Sequence, residues 1–272
     1  IAAATIDVAL EGRLADLRLL ADAASGAAMI AVNATGARDG PTIDATIKVD
    51  QGTLAGRPLV KAGARVQGKP SATGWSGTVA LDGNFSGQRL GGSAVAVLDR
   101  ATGLPGLPRI DLAIGHNRVT GALQRTAQGP LTGMLDVAAP DLATLAALAL
   151  VEATGAVNAK VAFAANGARQ SLAVKFNGTR ITYATLVAGK LDGDVDIDDA
   201  FGTPRIRGNA TAAALTIGDL TLDSARVGAT VEGAVTKFTA TAKNSDLELA
   251  GSGSYGPAPG GSALGIATLT GT

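Results

Sequence analysis

Apolar and polar residues alternate along most of this chain, in one short segment after another. The segment Trp75–Phe85 shows the pattern most clearly, with Trp, Val, Leu and Phe at odd positions and Ser, Thr, Asp and Asn among the even ones. Because successive side chains of a strand point to opposite faces, each such segment predicts a strand with one apolar and one polar face. Repeated over 272 residues, the pattern predicts an all-β protein built around a long sheet surface.

Turn signals separate the predicted strands. Asn177-Gly178 lies between two alternating segments, Ser171–Phe176 and Arg180–Tyr183, and predicts a hairpin, because a two-residue primed turn needs positive φ at both positions. Pro105-Gly106 and Gly129-Pro130 indicate further breaks.

Two segments depart from the strand period and predict short helices, one near 14–24 and one near 141–150. In each, leucines at helical spacing follow an aspartate, Asp16 or Asp141, that is placed to cap the first turn.

Each predicted helix is followed by a glycine that precedes a strand, Gly26 in the first case and Gly155 in the second. This recurrence predicts two meander units, residues 1–139 and 140–272, each opened by its helix and joined in one continuous elongated sheet. The alternative is that short Ala/Leu helices cover the end of any β structure.

Composition narrows the function classes. The chain has no Cys, which excludes disulfides, thiolate catalysis and cysteine-based metal sites. The absence of thiols suits an oxidising compartment such as the periplasm, although some cytosolic proteins also contain no Cys. The net charge is zero, so a nucleic acid partner is not expected. Aromatic residues make up 3% and glycines number 37, which is typical of thin layers and many turns.

Gly251-Ser-Gly-Ser-Tyr-Gly256 matches the dinucleotide-binding pattern G-x-G-x-x-G. Such a site needs a helix directly after the turn and an acidic residue about 20 positions later. Prolines follow instead, and no acidic residue occurs after Glu248. We therefore interpret this segment as a Gly/Ser loop after a strand.

The densest acidic cluster consists of five aspartates, Asp192, Asp194, Asp196, Asp198 and Asp199. Oxygen ligands at alternate positions are compatible with calcium, but an EF-hand count from Asp194 fails at its glycine and glutamate positions. The intervening Leu191, Val195 and Ile197 favour a single strand with its carboxylates in water, so no metal site is predicted.

His116 is the single histidine and lies in a probable turn, so a zinc site or a Ser-His-Asp triad would rest on it alone. We predict no enzyme, no catalytic residues, no metal and no cofactor.

Membrane insertion within this sequence is not expected. The chain begins with Ile1, so we expect any targeting segment to lie outside it. The most apolar helical run, Leu142–Val151, is far shorter than the roughly 20 residues that a transmembrane helix needs.

Short amphipathic strands rich in Ala, Val, Leu, Gly and Asp, combined with Asp-Leu helices followed by Gly, resemble the TamB-like family of translocation and assembly proteins. This family groups with the AsmA-like, bridge-type lipid transfer proteins. The segment Ala139–Phe176 carries the resemblance best, and the Asn177-Gly178 pair follows it.

The resemblance implies an internal fragment of an inner-membrane-anchored envelope protein in the periplasm of a Gram-negative bacterium. It also implies an elongated, curved half-pipe of β-sheet, a β-taco-like groove or solenoid, that moves phospholipids between the inner and outer membranes. A BamA-like outer-membrane barrel, TamA, is the implied protein partner.

Apolar positions on the predicted strands are the candidate lining of such a groove, with phospholipid acyl chains as the expected ligand. They are Val79, Leu81, Phe85, Leu112, Ile114, Val161, Phe163, Val174, Phe176, Leu191, Val195 and Ile197. Strand phase alone does not distinguish an open groove from a dry core. The alternatives are a scaffold that guides outer-membrane or autotransporter proteins into the membrane by strand addition at sheet edges, and a structural β-solenoid.

Overall fold

The all-β prediction is confirmed. The computed structural model describes residues 5–19, 22–38, 40–148, 150–257 and 263–271. Strand accounts for 76% of the structure and helix for 4%, with antiparallel pairing throughout.

The described strands follow one another with short connections. They are β1 (Thr5–Leu14), β2 (Ala24–Gly26), β3 (Ala28–Ala37), β4 (Thr42–Leu54), β5 (Arg57–Ser71), β6 (Gly74–Phe85), β7 (Gln88–Asp99), β8 (Pro105–Ile114), β9 (Asn117–Arg125), β10 (Leu131–Ala139), β11 (Ala153–Asn166), β12 (Arg169–Tyr183), β13 (Leu186–Asp198), β14 (Arg205–Ile217), β15 (Leu220–Glu232), β16 (Val235–Lys243), β17 (Glu248–Pro257) and β18 (Ala263–Gly271). The helical elements among them are a 3₁₀ turn at Leu17–Leu19 and helix α1 at Leu142–Leu148.

The chain divides into two compact units. Unit 1 comprises Ile1–Ala127 with Thr144–Val151, and unit 2 comprises Gln128–Ala143 with Glu152–Thr272. The sequence-based boundary, between residues 139 and 140, assigns β10 to the first unit, whereas the structure assigns it to unit 2.

Within each unit, strands pair with their neighbours in the chain. In unit 1, β1 pairs with β3, and β3 to β9 follow in order, while β2 pairs with the end of β4. In unit 2, β10 to β18 pair successively. Such meanders are the arrangement that short hairpin connections produce.

Several hairpin turns have positive φ at both central positions. Ala55 and Gly56 have φ of 54° and 72°, and Ser86 and Gly87 have φ of 52° and 80°. Two consecutive left-handed residues form the turn whose twist matches that of paired strands.

The predicted hairpin at Asn177-Gly178 is wrong. β12 runs without interruption through both residues, and Gly178 pairs with Val157 on one side and Leu191 on the other. Since the alternation of apolar and polar positions continues across Asn177, the pairing on both sides keeps this segment extended. The chain turns instead beyond Tyr183.

One predicted helix is confirmed and the other is mostly wrong. Helix α1 forms within the region near 141–150. The region near 14–24 contains only the 3₁₀ turn, because β1 continues to Leu14, which pairs with Ala28. Asp16 nevertheless caps this turn, since its Oδ1 accepts a hydrogen bond from the backbone N–H of Arg18 at 3.0 Å.

Gly26 in unit 1 and Gly155 in unit 2 both have a positive φ angle and lie close to the backbone of another strand. Their φ angles are +108° and +114°. A Cβ atom at Gly26 would lie 2.6 Å from the carbonyl oxygen of Gln51, and one at Gly155 would overlap the backbone of Arg180. Gly26 ends β2, whereas Gly155 lies inside β11 at a shift in register, so the prediction that both directly precede a strand is wrong for Gly155. Close approach of two backbones requires glycine at both positions.

We predict that Gly26→Ala and Gly155→Ala each lower the free energy of unfolding by about 1–3 kcal/mol, because a side chain there combines a strained φ with backbone overlap. Urea denaturation followed by circular dichroism measures the change. Gly12→Ala is the control, since no atom lies within 4 Å of the new Cβ. Equal losses in the control and the two test variants would contradict the prediction.

Candidate functional site

The candidate groove residues of unit 2 share one face of its sheet. Val161, Val174 and Val195 lie directly opposite one another on β11, β12 and β13. The same row continues through Gly208 and Ala229 on the next two strands. All seven predicted residues of this unit belong to this face: Val161, Phe163, Val174, Phe176, Leu191, Val195 and Ile197. We call this surface the apolar face of unit 2.

Charged and amide side chains occupy the opposite face of the same strands. Lys160 Nζ lies 3.4 Å from Asp136 Oδ1, and Lys175 Nζ lies 3.0 Å from Asp194 Oδ2. These four residues form one continuous cross-strand row. All four side chains are substantially exposed, so their ion pairs contribute little stability. The row shows instead which face of the sheet lies in water.

The strand interpretation is confirmed for four of the five aspartates of the cluster, whereas Asp199 lies just after β13 and the side chain of Asp198 is mostly buried. Asp192, Asp194, Asp196 and Asp198 alternate along β13 with Leu191, Val195 and Ile197, which point to the other face. A hydrogen bond from the Ser171 hydroxyl, with Arg205 nearby, lowers the pKa of Asp198. Among the described residues, no group of acidic or histidine side chains is arranged to hold a metal ion.

Unit 1 has the same division between faces. Val79 on β6 lies opposite Val66 on β5 and Ala94 on β7, and Leu81 lies opposite Ala64 and Gly92. The five predicted residues of this unit share this surface, which we call the apolar face of unit 1: Val79, Leu81, Phe85, Leu112 and Ile114.

Burial separates two of these five residues from the rest. Phe85 is 1% exposed and Ile114 is 7% exposed, and both pack against Ala147 of helix α1. They therefore belong to a dry core and do not line an accessible surface, which corrects that part of the prediction. The other ten predicted residues are half-buried: same-face neighbours cover their flanks and leave part of each side chain accessible.

Besides the core around Phe85 and Ile114 in unit 1, each unit buries a region of its apolar face in a small core. In unit 1, Leu17 of the 3₁₀ turn packs with Ala28 and Val49. In unit 2, Ile181 and Leu215 form a core against which Leu142 packs. Helical residues take part in both cores, and the remaining predicted positions on each face stay half-buried.

Two aromatic rings lie flat on the apolar faces because the residues beneath them are glycines. A Cβ at Gly193 would overlap the Phe176 ring on the neighbouring strand, and a Cβ at Gly68 would overlap the Trp75 indole. Large rings therefore add apolar area without rising far above the sheet.

The other motifs found in the sequence form no site. His116 is exposed in the turn between β8 and β9, as predicted. The segment Gly251–Gly256 lies inside strand β17, so its interpretation as a loop is wrong, and no described helix follows it.

A cavity of about 600 Å³ in unit 1 was missed by sequence reasoning. It lies at the end of the apolar face that carries Trp75, beside the cross-strand row Pro70, Trp75, Leu98 and Pro105. These residues come from four successive strands, β5 to β8, and the register of those strands brings them into one row. The single Trp between turn-forming residues was the one signal available in the sequence.

Comparison with known proteins identifies no relative from which a function could be inferred, so the fold and its two faces are the basis for the functional proposal. No family model, curated protein or solved structure matches the chain. What the structure establishes is its class, an all-β protein of antiparallel meanders with segregated apolar and polar faces. Within the described ranges, no helix has both the length and the apolar character needed to cross a bilayer.

We predict that Gly193→Ala lowers the free energy of unfolding by about 1–3 kcal/mol, because the new methyl group displaces the Phe176 ring from its resting place. The loss should shrink in a Phe176→Leu background, where the ring is absent. Gly228→Ala is the control, since its nearest neighbour would lie at an ordinary 3.5 Å. Urea denaturation of the wild type, the two single variants and the double variant measures how strongly the two positions are coupled. Equal losses of stability in both backgrounds would contradict the proposed contact between Gly193 and the Phe176 ring.

Proposed function

We propose that this chain is a non-enzymatic segment of a periplasmic bridge that conducts phospholipids between the inner and outer membranes. The observation that carries the proposal is the pair of apolar faces. Each face is continuous across several strands, and most of its predicted residues are half-buried and partly accessible to solvent. A monomeric protein ordinarily buries such a surface or uses it to bind something.

The chemistry of an acyl chain suits this surface. Each methylene group gains about 0.8 kcal/mol on leaving water, so lipid tails can be held without directional contacts. Non-directional attraction also lets a chain slide from one strand to the next, since each row offers much the same environment. The flat rings over Gly193 and Gly68 keep the surface low along its length.

Charged pairs on the strands of both units lie on the polar faces. Asp194 and Lys175 pair on the polar face of unit 2, and Asp111 and Arg118 pair at 2.7 Å in unit 1. The hydrogen bonds from Arg118 lower the pKa of Asp111 and hold it ionised. These carboxylates act as solvated partners of cations, which supports a conducting role over a catalytic one.

The resemblance to the TamB-like family supports the same role. Its segment Ala139–Phe176 corresponds here to the end of β10, helix α1, β11 and the first half of β12, with Leu142 packing into the core of unit 2. On this proposal the chain belongs to an inner-membrane-anchored protein of a Gram-negative envelope and works with a TamA-type outer-membrane barrel.

A second function, a scaffold for outer-membrane protein assembly, is favoured by the edge of unit 1. Among the described residues of unit 1, β1 pairs with β3 only. Its apolar side chains Val8 and Leu10 are 50% and 61% exposed. A strand with an unpaired side can accept an incoming strand from a client protein.

Lipid binding is tested by purifying the chain from bacterial envelopes in minimal detergent and measuring native mass spectra before and after lipid extraction. We expect co-purified phospholipid, and we expect Val161→Asp, Phe163→Asp and Phe176→Asp to lose most of it, because a carboxylate on the apolar face repels acyl chains. Ala162→Asp and Asn177→Asp, on the opposite face of the same strands, should retain it.

Circular dichroism of each variant keeps a folding defect separate from a binding defect. A folded wild-type chain that carries no lipid and takes up none when phospholipid is added would contradict the conduit. The same result combined with pull-down of an unfolded outer-membrane protein, lost when a proline is placed at Ala9 in β1, would favour the scaffold.

A further inference from the structure

The cavity at the end of the apolar face of unit 1 has apolar walls and a charged rim. Its walls are mainly apolar and include Ile43, Pro70, Trp75 and Leu98. Its volume of about 600 Å³ falls within the usual range for small-molecule sites. The row that contains Trp75 and the adjacent row that contains Ile43 belong to the same face as Val79, so the cavity is continuous with the proposed path.

Two charged residues of opposite sign, Asp99 and Arg100, line this cavity next to its apolar walls. Asp99 Oδ1 accepts hydrogen bonds from the backbone N–H and the hydroxyl of Thr102, both at 2.8 Å. These bonds lower the pKa of Asp99, which is therefore ionised at neutral pH. The Arg100 side chain is exposed, and no described residue forms an ion pair or a side-chain hydrogen bond with it.

We propose that this cavity binds a zwitterionic phospholipid, with acyl chain against Trp75 and Leu98 and headgroup at the rim. Arg100 would bind the phosphate group, and the Asp99 carboxylate would bind the ammonium group. The proposal rests on the proposed function and adds a headgroup preference to it.

The paired charges favour this ligand class over a purely anionic one. A lipid with net negative charge gains the attraction of Arg100 but meets the carboxylate of Asp99 beside it. A headgroup with both charges complements both residues. Because the rim is exposed, each contact is expected to change affinity by a few fold and not by orders of magnitude.

Trp75 makes the site directly observable. It is the single Trp of the chain, so all tryptophan fluorescence reports on this cavity. Its Nε1 is buried without a hydrogen-bond partner among the described residues, and the ring lies over Gly68 and Gly77. An acyl chain that fills the cavity therefore changes the immediate surroundings of the indole.

The experiment titrates the intact chain with phosphatidylethanolamine or phosphatidylglycerol carrying the same brominated acyl chains, because bromine quenches indole fluorescence on contact. We expect half-maximal quenching by phosphatidylethanolamine at a concentration at least about threefold lower than by phosphatidylglycerol. Arg100→Gln and Asp99→Asn should each weaken phosphatidylethanolamine binding by about three- to fivefold. Asparagine keeps an acceptor for Thr102, which protects the loop.

Arg89→Gln is the matched control, since Arg89 is exposed on the polar face of the same strand and does not line the cavity. Equal quenching by both lipids, or rim variants that behave as Arg89→Gln does, would overturn the headgroup proposal and leave the conduit standing. An unquenched Trp75 in a chain that still loses lipid on Phe163→Asp would overturn the cavity alone. A chain that binds no phospholipid by either assay would overturn both proposals.

Discussion

The structure depends on antiparallel pairing that keeps most apolar side chains of neighbouring strands in phase. Side chains alternate with a period of two, so a slip of one residue between two strands would move a whole apolar set to the wet face. Short turns with positive φ, such as Ser86-Gly87, hold the register where they join strands. Register, more than any individual contact, produces the two-faced sheets.

Segregated faces without a full second layer leave each unit with unused apolar surface. Small cores that include Leu17, Phe85 or Ile181 hold parts of the strands together. Elsewhere, side chains such as Val174 and Val195 touch their neighbours on the same sheet and remain half accessible. Main-chain pairing along the long strands holds each sheet together, and much of each apolar face stays accessible because little packs on top of it.

The sequence was informative wherever a property depends on position along one strand. Period-two alternation was sufficient to predict the all-β class, the shared face of Val161 and Phe163, and the alternation of aspartates with apolar residues along β13. The alternation pattern failed where the structure of a segment depends on the strands that pair with it. Asn177-Gly178 has the composition of a turn, but pairing on both sides keeps it extended.

The burial of individual side chains and the position of the cavity likewise depend on elements elsewhere in the sequence. The burial of Phe85 depends on a helix 60 residues further along the chain, and the cavity beside Trp75 depends on the register of four strands. Neither relation can be read from local pattern, and the helix near 14–24 failed because β1 extends through its first residue in register with β3.

The meander connectivity of each unit has a consequence for how such a chain changes in evolution. Nearly every strand contacts only the strands next to it in sequence, so adding or deleting one hairpin alters a single junction and leaves every other pairing as it was. Because a hairpin contains two strands, its gain or loss also preserves the direction of all later strands and the side on which their apolar residues lie. The length of such a protein can therefore change by pairs of strands in evolution without redesign of the strands that remain.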